Sequence, residues 1–339
     1  MNSVAREHIE IELRKISNDI LVWSMGNENF LNVTSMAYNT SEIFIGTIVA
    51  FAEKRKRVLY ITNEQNVEII KYIKNNTGFK SFSFFTQDKV YYKDNLIITD
   101  YQNAIGLKDK FDLVIYDDIR SYPIYSRYEI IDIMANCSKP NGKLIAYSIE
   151  KIFNESREMK LWASEINMPI IEPRVILTRI DIDKDIPYVI FEYLKWSIDL
   201  KRNVVVHVPI KEKIKGVFKY LSLYKSKLTN NILWYSTDSE DSTVLEYFQK
   251  NKGCIIVTDD FDKISDSCFD LDVLVYVYDD KSIDYKRLVY FSGKVGRIEK
   301  RERGEVIFLA NEETVEIEKA KSITRSFNKK AWEKGLLSL

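Results

Sequence analysis

The feature that most constrains this chain is a series of short apolar runs set between stretches with helical spacing. Val58-Leu59-Tyr60-Ile61, Leu113-Val114-Ile115-Tyr116, Leu144-Ile145-Ala146-Tyr147 and Val204-Val205-Val206 show no alternation of polar and apolar residues. A strand reads this way when helices cover both faces of its sheet, so the expectation is a parallel α/β architecture.

The chain has 339 residues, beyond the size at which one core keeps growing, and two domains are expected. Residues 4–16 read as a helix with a stripe through Ile9, Ile11 and Leu13, and the runs Ile20–Met25 and Phe30–Met36 flank Gly26-Asn27-Glu28-Asn29 as a hairpin. Helices are expected over 41–54 and 64–75, with strands at 57–61, 81–85, 96–99, 111–116 and 143–147. The pattern resets at Met168-Pro169, Glu172-Pro173 and Ile186-Pro187. This divides the chain into a domain over 1–170, a linker over 171–187 and a second domain over 188–339. In the second, helices at 188–200, 211–226 and 312–334 are interleaved with strands at 204–208, 231–235, 254–258, 272–278 and 305–309.

Apolar residues make up 45% and charged residues 29%, the balance of a globular protein, and no stretch approaches the ~20 apolar residues of a membrane span. The first residues lack an apolar core of the secretory kind, so no leader is expected. Three cysteines without paired spacing, Cys137, Cys254 and Cys268, argue against a disulfide framework or zinc module and for a reducing, cytoplasmic setting. Fifty basic residues balance fifty acidic ones, so no global field draws nucleic acid. From Lys281 onward, however, 14 Lys/Arg stand against 9 Asp/Glu, a local excess of about +5.

Several motifs fall in a recognisable order. Phe111–Tyr116 leads into Asp117-Asp118-Ile119-Arg120-Ser121-Tyr122-Pro123, and Gly142–Tyr147 into Ser148-Ile149-Glu150. In the second half come Val206-His207-Val208-Pro209, then Ile256-Val257-Thr258-Asp259-Asp260 through Ile264-Ser265, then Gly293-Lys294-Val295-Gly296-Arg297 ahead of Arg303–Phe308. Over roughly residues 18–337 this set resembles the superfamily II helicase core, most closely the late competence ComFA family. The resemblance implies two tandem RecA-like domains with mostly parallel sheets, the fold of P-loop NTPases and helicases.

It also implies roles. Asp117 would hold Mg²⁺ and Asp118, one methylene shorter than the family's glutamate, would orient water; Arg297 would be the arginine finger, with Lys294 in place of the first arginine of that motif. Thr40 and Ser41 fall on the phosphate loop's Lys-Thr. Thr62, Thr99, Gln102 and Thr258 fall where the family touches the nucleic-acid backbone. His207 reads as a strand residue. The family's four-cysteine zinc module has no counterpart.

The phosphate loop is where the sequence departs furthest. A working loop needs Gly-x-x-x-x-Gly-Lys-Ser/Thr, and no Gly-Lys-Ser/Thr occurs anywhere in the chain. One placement puts Ala37-Tyr38-Asn39-Thr40-Ser41-Glu42 on the loop, without glycines or lysine. A rival aligns Ile20–Trp23 with the preceding strand and makes Gly26–Asn29 the loop, also without lysine. Asp259-Asp260 and Ile264-Ser265 replace threonines and an Arg-Gly pair, placing negative charge near the strand-binding path.

The leading expectation is therefore a helicase-like core that has lost ATP hydrolysis and acts as a scaffold or regulator in DNA uptake or handling. It would need no cofactor, bind single-stranded DNA weakly and have a protein partner in a DNA-uptake or repair machinery. The alternative is an ATP-dependent single-stranded DNA translocase with an atypical site, using ATP and Mg²⁺, for which Arg120 is the one nearby cation. A methyltransferase is a third reading, suggested by Phe111–Asp118 and Lys139–Leu144, but its Gly-x-Gly turn is missing.

Overall fold

The computed structural model describes residues 3–64, 66–86, 93–164, 167–239, 243–264, 271–279, 281–295 and 304–337. The chain separates into two compact units, Met1–Pro169 together with Lys329–Leu339, and Ile170–Asn328.

Unit 1 begins with α1 (Ser3–Met25), followed by β1 (Phe30–Ser35), α2 (Ile45–Glu53), β2 (Val58–Thr62), α3 (Glu68–Asn76), β3 (Phe82–Phe84) and β4 (Leu96–Thr99). Next come α4 (Tyr101–Ile105), β5 (Phe111–Asp117), α5 (Arg127–Cys137), β6 (Ser138–Ser148) and β7 (Arg157–Leu161). Its seven strands lie in the order β3-β4-β2-β5-β6-β1-β7 and every recorded pairing is parallel. Successive residues of each strand enter opposite cores. Val58, Tyr60, Leu113, Ile115 and Tyr147 pack with α1, α2 and α3, while Leu59, Ile61, Val114, Tyr116 and Ala146 pack with α4 and α5. This two-sided burial is why the strands are apolar throughout.

Unit 2 contains β8 (Arg174–Leu177), α6 (Tyr188–Asp199), β9 (Asn203–His207), α7 (Lys211–Ser222), β10 (Ile232–Tyr235), α8 (Thr243–Lys250) and β11 (Ile255–Thr258). It continues through β12 (Leu271–Val277), α9 (Tyr285–Lys294), β13 (Val306–Ala310) and most of α10 (Val315–Glu333). Its six strands, again all parallel, run β10-β11-β9-β12-β13-β8.

Four expectations differ. The apolar run Ile20–Met25 is the end of α1 and not a hairpin strand, because Ile20 and Trp23 extend the buried stripe of Ile9 and Ile16 at helical spacing. Ile11, expected in that stripe, is exposed. Residues 171–187, expected as a linker, include the edge strand β8, and Ile182 and Ile186 are in the core of unit 2. There Pro173 precedes a strand and Pro187 is the N-cap of α6, so these prolines mark element starts. The closing helix is not wholly part of the second unit, since its last turn belongs to unit 1.

Two glycines of unit 2 make opposite demands. A Cβ at Gly304 would lie 2.0 Å from the Leu271 carbonyl oxygen, beside the buried Arg202–Asp272 ion pair, whereas one at Gly216 in α7 would meet nothing within 4 Å. Gly304→Ala is expected to destabilise unit 2 by about 1–3 kcal/mol through overpacking, and Gly216→Ala to stabilise it by about 0.5–1 kcal/mol through helix propensity. Urea unfolding of the two variants checks both signs.

Candidate functional site

Parallel strands deliver their C-terminal tips to one edge of the sheet, and in open α/β sheets ligands bind at that edge. In unit 1 the tips bring together the loop after β1, Thr62 after β2, Asp117 at the end of β5 and Ser148 at the end of β6. Met36–Ser41, the first of the two placements considered, follows β1 and precedes the helical segment that leads into α2, the position a strand-to-helix loop takes. Gly26–Asn29 of the rival placement lies between α1 and β1.

Much of the backbone of this loop is bonded to protein. Tyr38 N–H donates to Ile119 O at 2.7 Å, Asn39 N–H to Met36 O at 3.3 Å and Phe44 N–H to Ser41 O at 3.1 Å. Thr40 N–H donates to Asn39 Oδ1 at 2.8 Å and Glu42 N–H to Thr40 Oγ1 at 3.2 Å. The Asn39 amide reaches Ser35 Oγ at 2.8 Å and Ala163 O at 2.7 Å, while the Tyr147 hydroxyl donates to Thr40 O at 2.8 Å. Tyr38 is held at φ 63°, a left-handed conformation that costs an L-residue about 1 kcal/mol or more. Thr40 and Ser41 are both buried, Ser41 with its hydroxyl beside that of Tyr60.

Asp117 is buried as well. It receives the Tyr60 hydroxyl on Oδ2 and the Ile119 N–H on Oδ1 at 2.9 Å. Val58, Tyr60, Ile115 and Asp117 share a sheet face, so alternation along β2 and β5 brings the phenol to the carboxyl. Burial pushes the Asp117 carboxyl up to about 7, with the Glu64 charge adding to the rise and the Tyr60 hydroxyl, Ile119 amide and Arg120 opposing it. Burial and Asp117 together raise the Tyr60 phenol well above its ordinary range, so it remains the donor. Asp118 is also buried, its N–H donating to Tyr147 O at 3.2 Å.

Arg120 is committed elsewhere. Its guanidinium pairs with Glu64 at 2.8 Å and Glu68 at 2.9 Å and lies 5.7 Å from the Tyr38 ring centroid. Although burial pulls its pKa down, Glu68 and Glu64 raise it on balance, so the cation stays charged. Phosphate would have to compete with two carboxylates for it. The residues at these strand tips therefore do not suit Mg²⁺·ATP: the Tyr38, Asn39 and Thr40 N–H groups of the loop have protein acceptors, Asp117 accepts from protein on both oxygens, and the nearby cation is neutralised.

In unit 2, Lys294 occupies the last turn of α9 and not a loop; its side chain is buried 3.5 Å from Asp262, over the rings of Phe261 and Tyr290. Arg297 lies outside the described residues. His207 closes β9 and is buried against Phe291, where desolvation, helped by Arg287, lowers it to about 3.

Of the four positions assigned to nucleic acid, three are buried. Thr62 Oγ1 accepts from Glu64 N–H at 3.2 Å, Thr99 Oγ1 donates to Phe85 O at 3.2 Å, and Thr258 Oγ1 accepts from Asp260 N–H at 2.9 Å. Gln102, on α4, is exposed. Asp259 accepts from Thr237 N–H and Oγ1, both at 2.9 Å. The basic tail is largely paired: Lys321 with Glu313, Lys330 with Glu333, and Arg325 with Glu172. Among the described residues, no group of three or more His, Cys, Asp or Glu is arranged to hold a metal, and no helix is long and apolar enough to cross a membrane.

Sequence reasoning missed Tyr60, Tyr147, Glu64 and Glu68 as parts of this site. A tyrosine inside an apolar strand is the one available signal, since a buried phenol needs a partner. The ion pairs of Arg120 reach 56 residues back along the chain and have no local signature.

A carboxyl raised from 3.8 to about 7 keeps a proton in the folded state that the unfolded chain releases. Its burial therefore weakens the fold progressively as pH rises from about 4 to about 7, and the loss is complete above that window. Asp117→Asn retains an acceptor for Ile119 N–H without the charge. It is expected to be more stable than the native chain at pH 8, by on the order of 2–4 kcal/mol, with the advantage vanishing near pH 4. Thermal melts across pH check this; a variant less stable at every pH contradicts it.

The sequence matches no protein-family model and no curated protein. Solved structures do match. S. cerevisiae Dbp5 bound to RNA and ADP BeF3 superposes with a TM-score of 0.57 at 9% identity, covering 91% of this chain and 87% of that one. A point variant of S. cerevisiae Dbp5 with the same ligands gives 0.58 at 12% identity, over 95% and 93%. RecG bound to a three-way DNA junction gives 0.56 at 11% identity, over 98% of this chain and 48% of that one. The two parallel sheets thus match the tandem RecA-like domains of these helicases, and the chain shares their fold.

Proposed function

We propose that this chain is a helicase-like core that no longer hydrolyses ATP and serves as a scaffold or regulator in the handling of DNA, as a ComFA-like protein of DNA uptake would. The observation that supports this most directly is the loop after β1, whose Tyr38, Asn39 and Thr40 N–H groups bond to Ile119, Met36 and Asn39 in place of phosphate oxygens. Catalysis of phosphoryl transfer rests on positioning and on charge stabilisation, and the loop and Arg120 here offer neither. The rival reading, a translocase that uses Arg120 as its phosphate cation, requires the Glu64 and Glu68 pairs to break first.

Nucleic acid remains a partner in this reading, because the neighbouring helicase structures hold RNA or a DNA junction. Contacts would be to phosphates, few in number and indifferent to base sequence. A protein partner in a DNA-uptake or repair machinery would then supply the specificity.

Two measurements test the proposal. Purified protein is expected to show no ATP turnover above background, with or without single-stranded DNA; DNA-stimulated turnover of about 1 s⁻¹, abolished by Asp117→Ala, would overturn it. Fluorescence anisotropy on a labelled oligothymidine is expected to give weak binding with a log–log salt slope of about −2, corresponding to two or three neutralised phosphates. Tight binding unchanged by salt contradicts the phosphate-contact picture.

A further inference from the structure

Unit 1 is built from two separate segments of chain, Met1–Pro169 and Lys329–Leu339. Ala331 and Leu336 are buried in the same cluster as Ile9, Ile16 and Ile20 of α1, and Leu337 packs against it. The way the chain reaches this cluster is specific. Gly335 takes φ 68°, its N–H bonds to Trp332 O at 2.9 Å, and the Leu336 N–H bonds back to Ala331 O at 2.9 Å. This is a Schellman ending, in which a left-handed glycine turns the next residue onto the helix's own last turn and brings two apolar side chains together. Lys334 Nζ pairs with Glu12 of α1 at 2.8 Å, and a Cβ at Gly335 would lie 3.4 Å from the His8 ring.

Unit 2 has a complementary feature where its chain enters and leaves. The entering residue, Ile170, donates its N–H to Asn328 Oδ1 at 2.8 Å, and the Asn328 amide donates to Ile170 O at 2.9 Å. One side-chain amide thus holds both polar groups of a single residue 158 positions away, at the last residue of the unit. The Arg325–Glu172 ion pair joins the same two segments. Ends held side by side are what a domain inserted within another requires.

We infer that residues 170–328 are an inserted domain whose two ends are stapled together by Asn328, and that Gly335–Leu337 is a latch completing unit 1 only after the insert has been traversed. The two units are therefore joined by two passages of chain rather than by one tether. Unit 1 without its last residues lacks part of the cover over α1, and one break at the entry to unit 2 leaves the second passage intact.

The test uses the full chain carrying a site-specific protease sequence between Met168 and Ile170. After cleavage, native size-exclusion chromatography is expected to show one species of unchanged size. The same nicked chain with Leu336→Asp is expected to separate into two fragments. Separation of the nicked native sequence, or persistence of the nicked Leu336→Asp chain as one species, overturns the latch. Asn328→Ala in the uncut chain tests the staple independently of Leu336. Hydrogen exchange at the Ile170 amide is expected to become about tenfold faster while Val114 in β5 and Val275 in β12 keep their protection. Unchanged exchange at Ile170 overturns the staple.

Discussion

A loop at the tip of a buried parallel strand must satisfy its backbone either from a ligand or from the protein. In a phosphate loop, glycines leave the N–H groups facing outward to meet anionic oxygens. After β1 of this chain the protein is its own partner: Ile119 reaches across to Tyr38, Asn39 closes onto Thr40, and Tyr147 holds the Thr40 carbonyl. The rest of the site follows from that choice. With Tyr38 folded over the tip, Arg120 lies near its ring and pairs with Glu64 and Glu68, and Asp117 turns to Tyr60 and the Ile119 amide. Thr40, Asp117 and Arg120, three of the groups this site could turn toward a phosphate or its metal, are engaged with protein.

The cost of this arrangement is visible in the same residues. A tyrosine holds a left-handed conformation, and a carboxyl is buried deeply enough to keep its proton toward neutrality. Neither helps the fold. Strained or perturbed groups often mark function, but they also mark polar positions enclosed when the ligand they faced is no longer accommodated.

Much of the architecture was legible in the sequence because burial on both sheet faces leaves an unambiguous apolar run, as in Val58–Ile61 and Leu113–Tyr116. What was misread lay where local cues compete. Ile20–Met25 reads as a strand in isolation and as a helix only when its spacing from Ile9 and Ile16 is counted. Pro173 and Pro187 read as linker punctuation, yet they start a strand and a helix. The capping box of Ser126 and Glu129, a readable start signal, marks α5, which went unassigned. Within the candidate site, Asp117, Asp118, Thr40 and Ser41 were proposed from motif order, whereas contacts such as Tyr60 to Asp117 and Tyr147 to Thr40 come from distant segments. Burial also reversed the sense of Thr62, Thr99 and Thr258, whose hydroxyls bond within their own unit.

The central claim is that the loop after β1 has no vacancy for a nucleotide, and equilibrium binding tests it more directly than turnover, since a site can bind without hydrolysing. Isothermal titration with ATP and Mg²⁺ is predicted to give no saturable heat up to about 1 mM, a ligand free energy weaker than about −4 kcal/mol. Saturable binding in the micromolar range that is lost in Arg120→Ala would contradict the account, because it would mean that Arg120 leaves Glu64 and Glu68 to meet a phosphate.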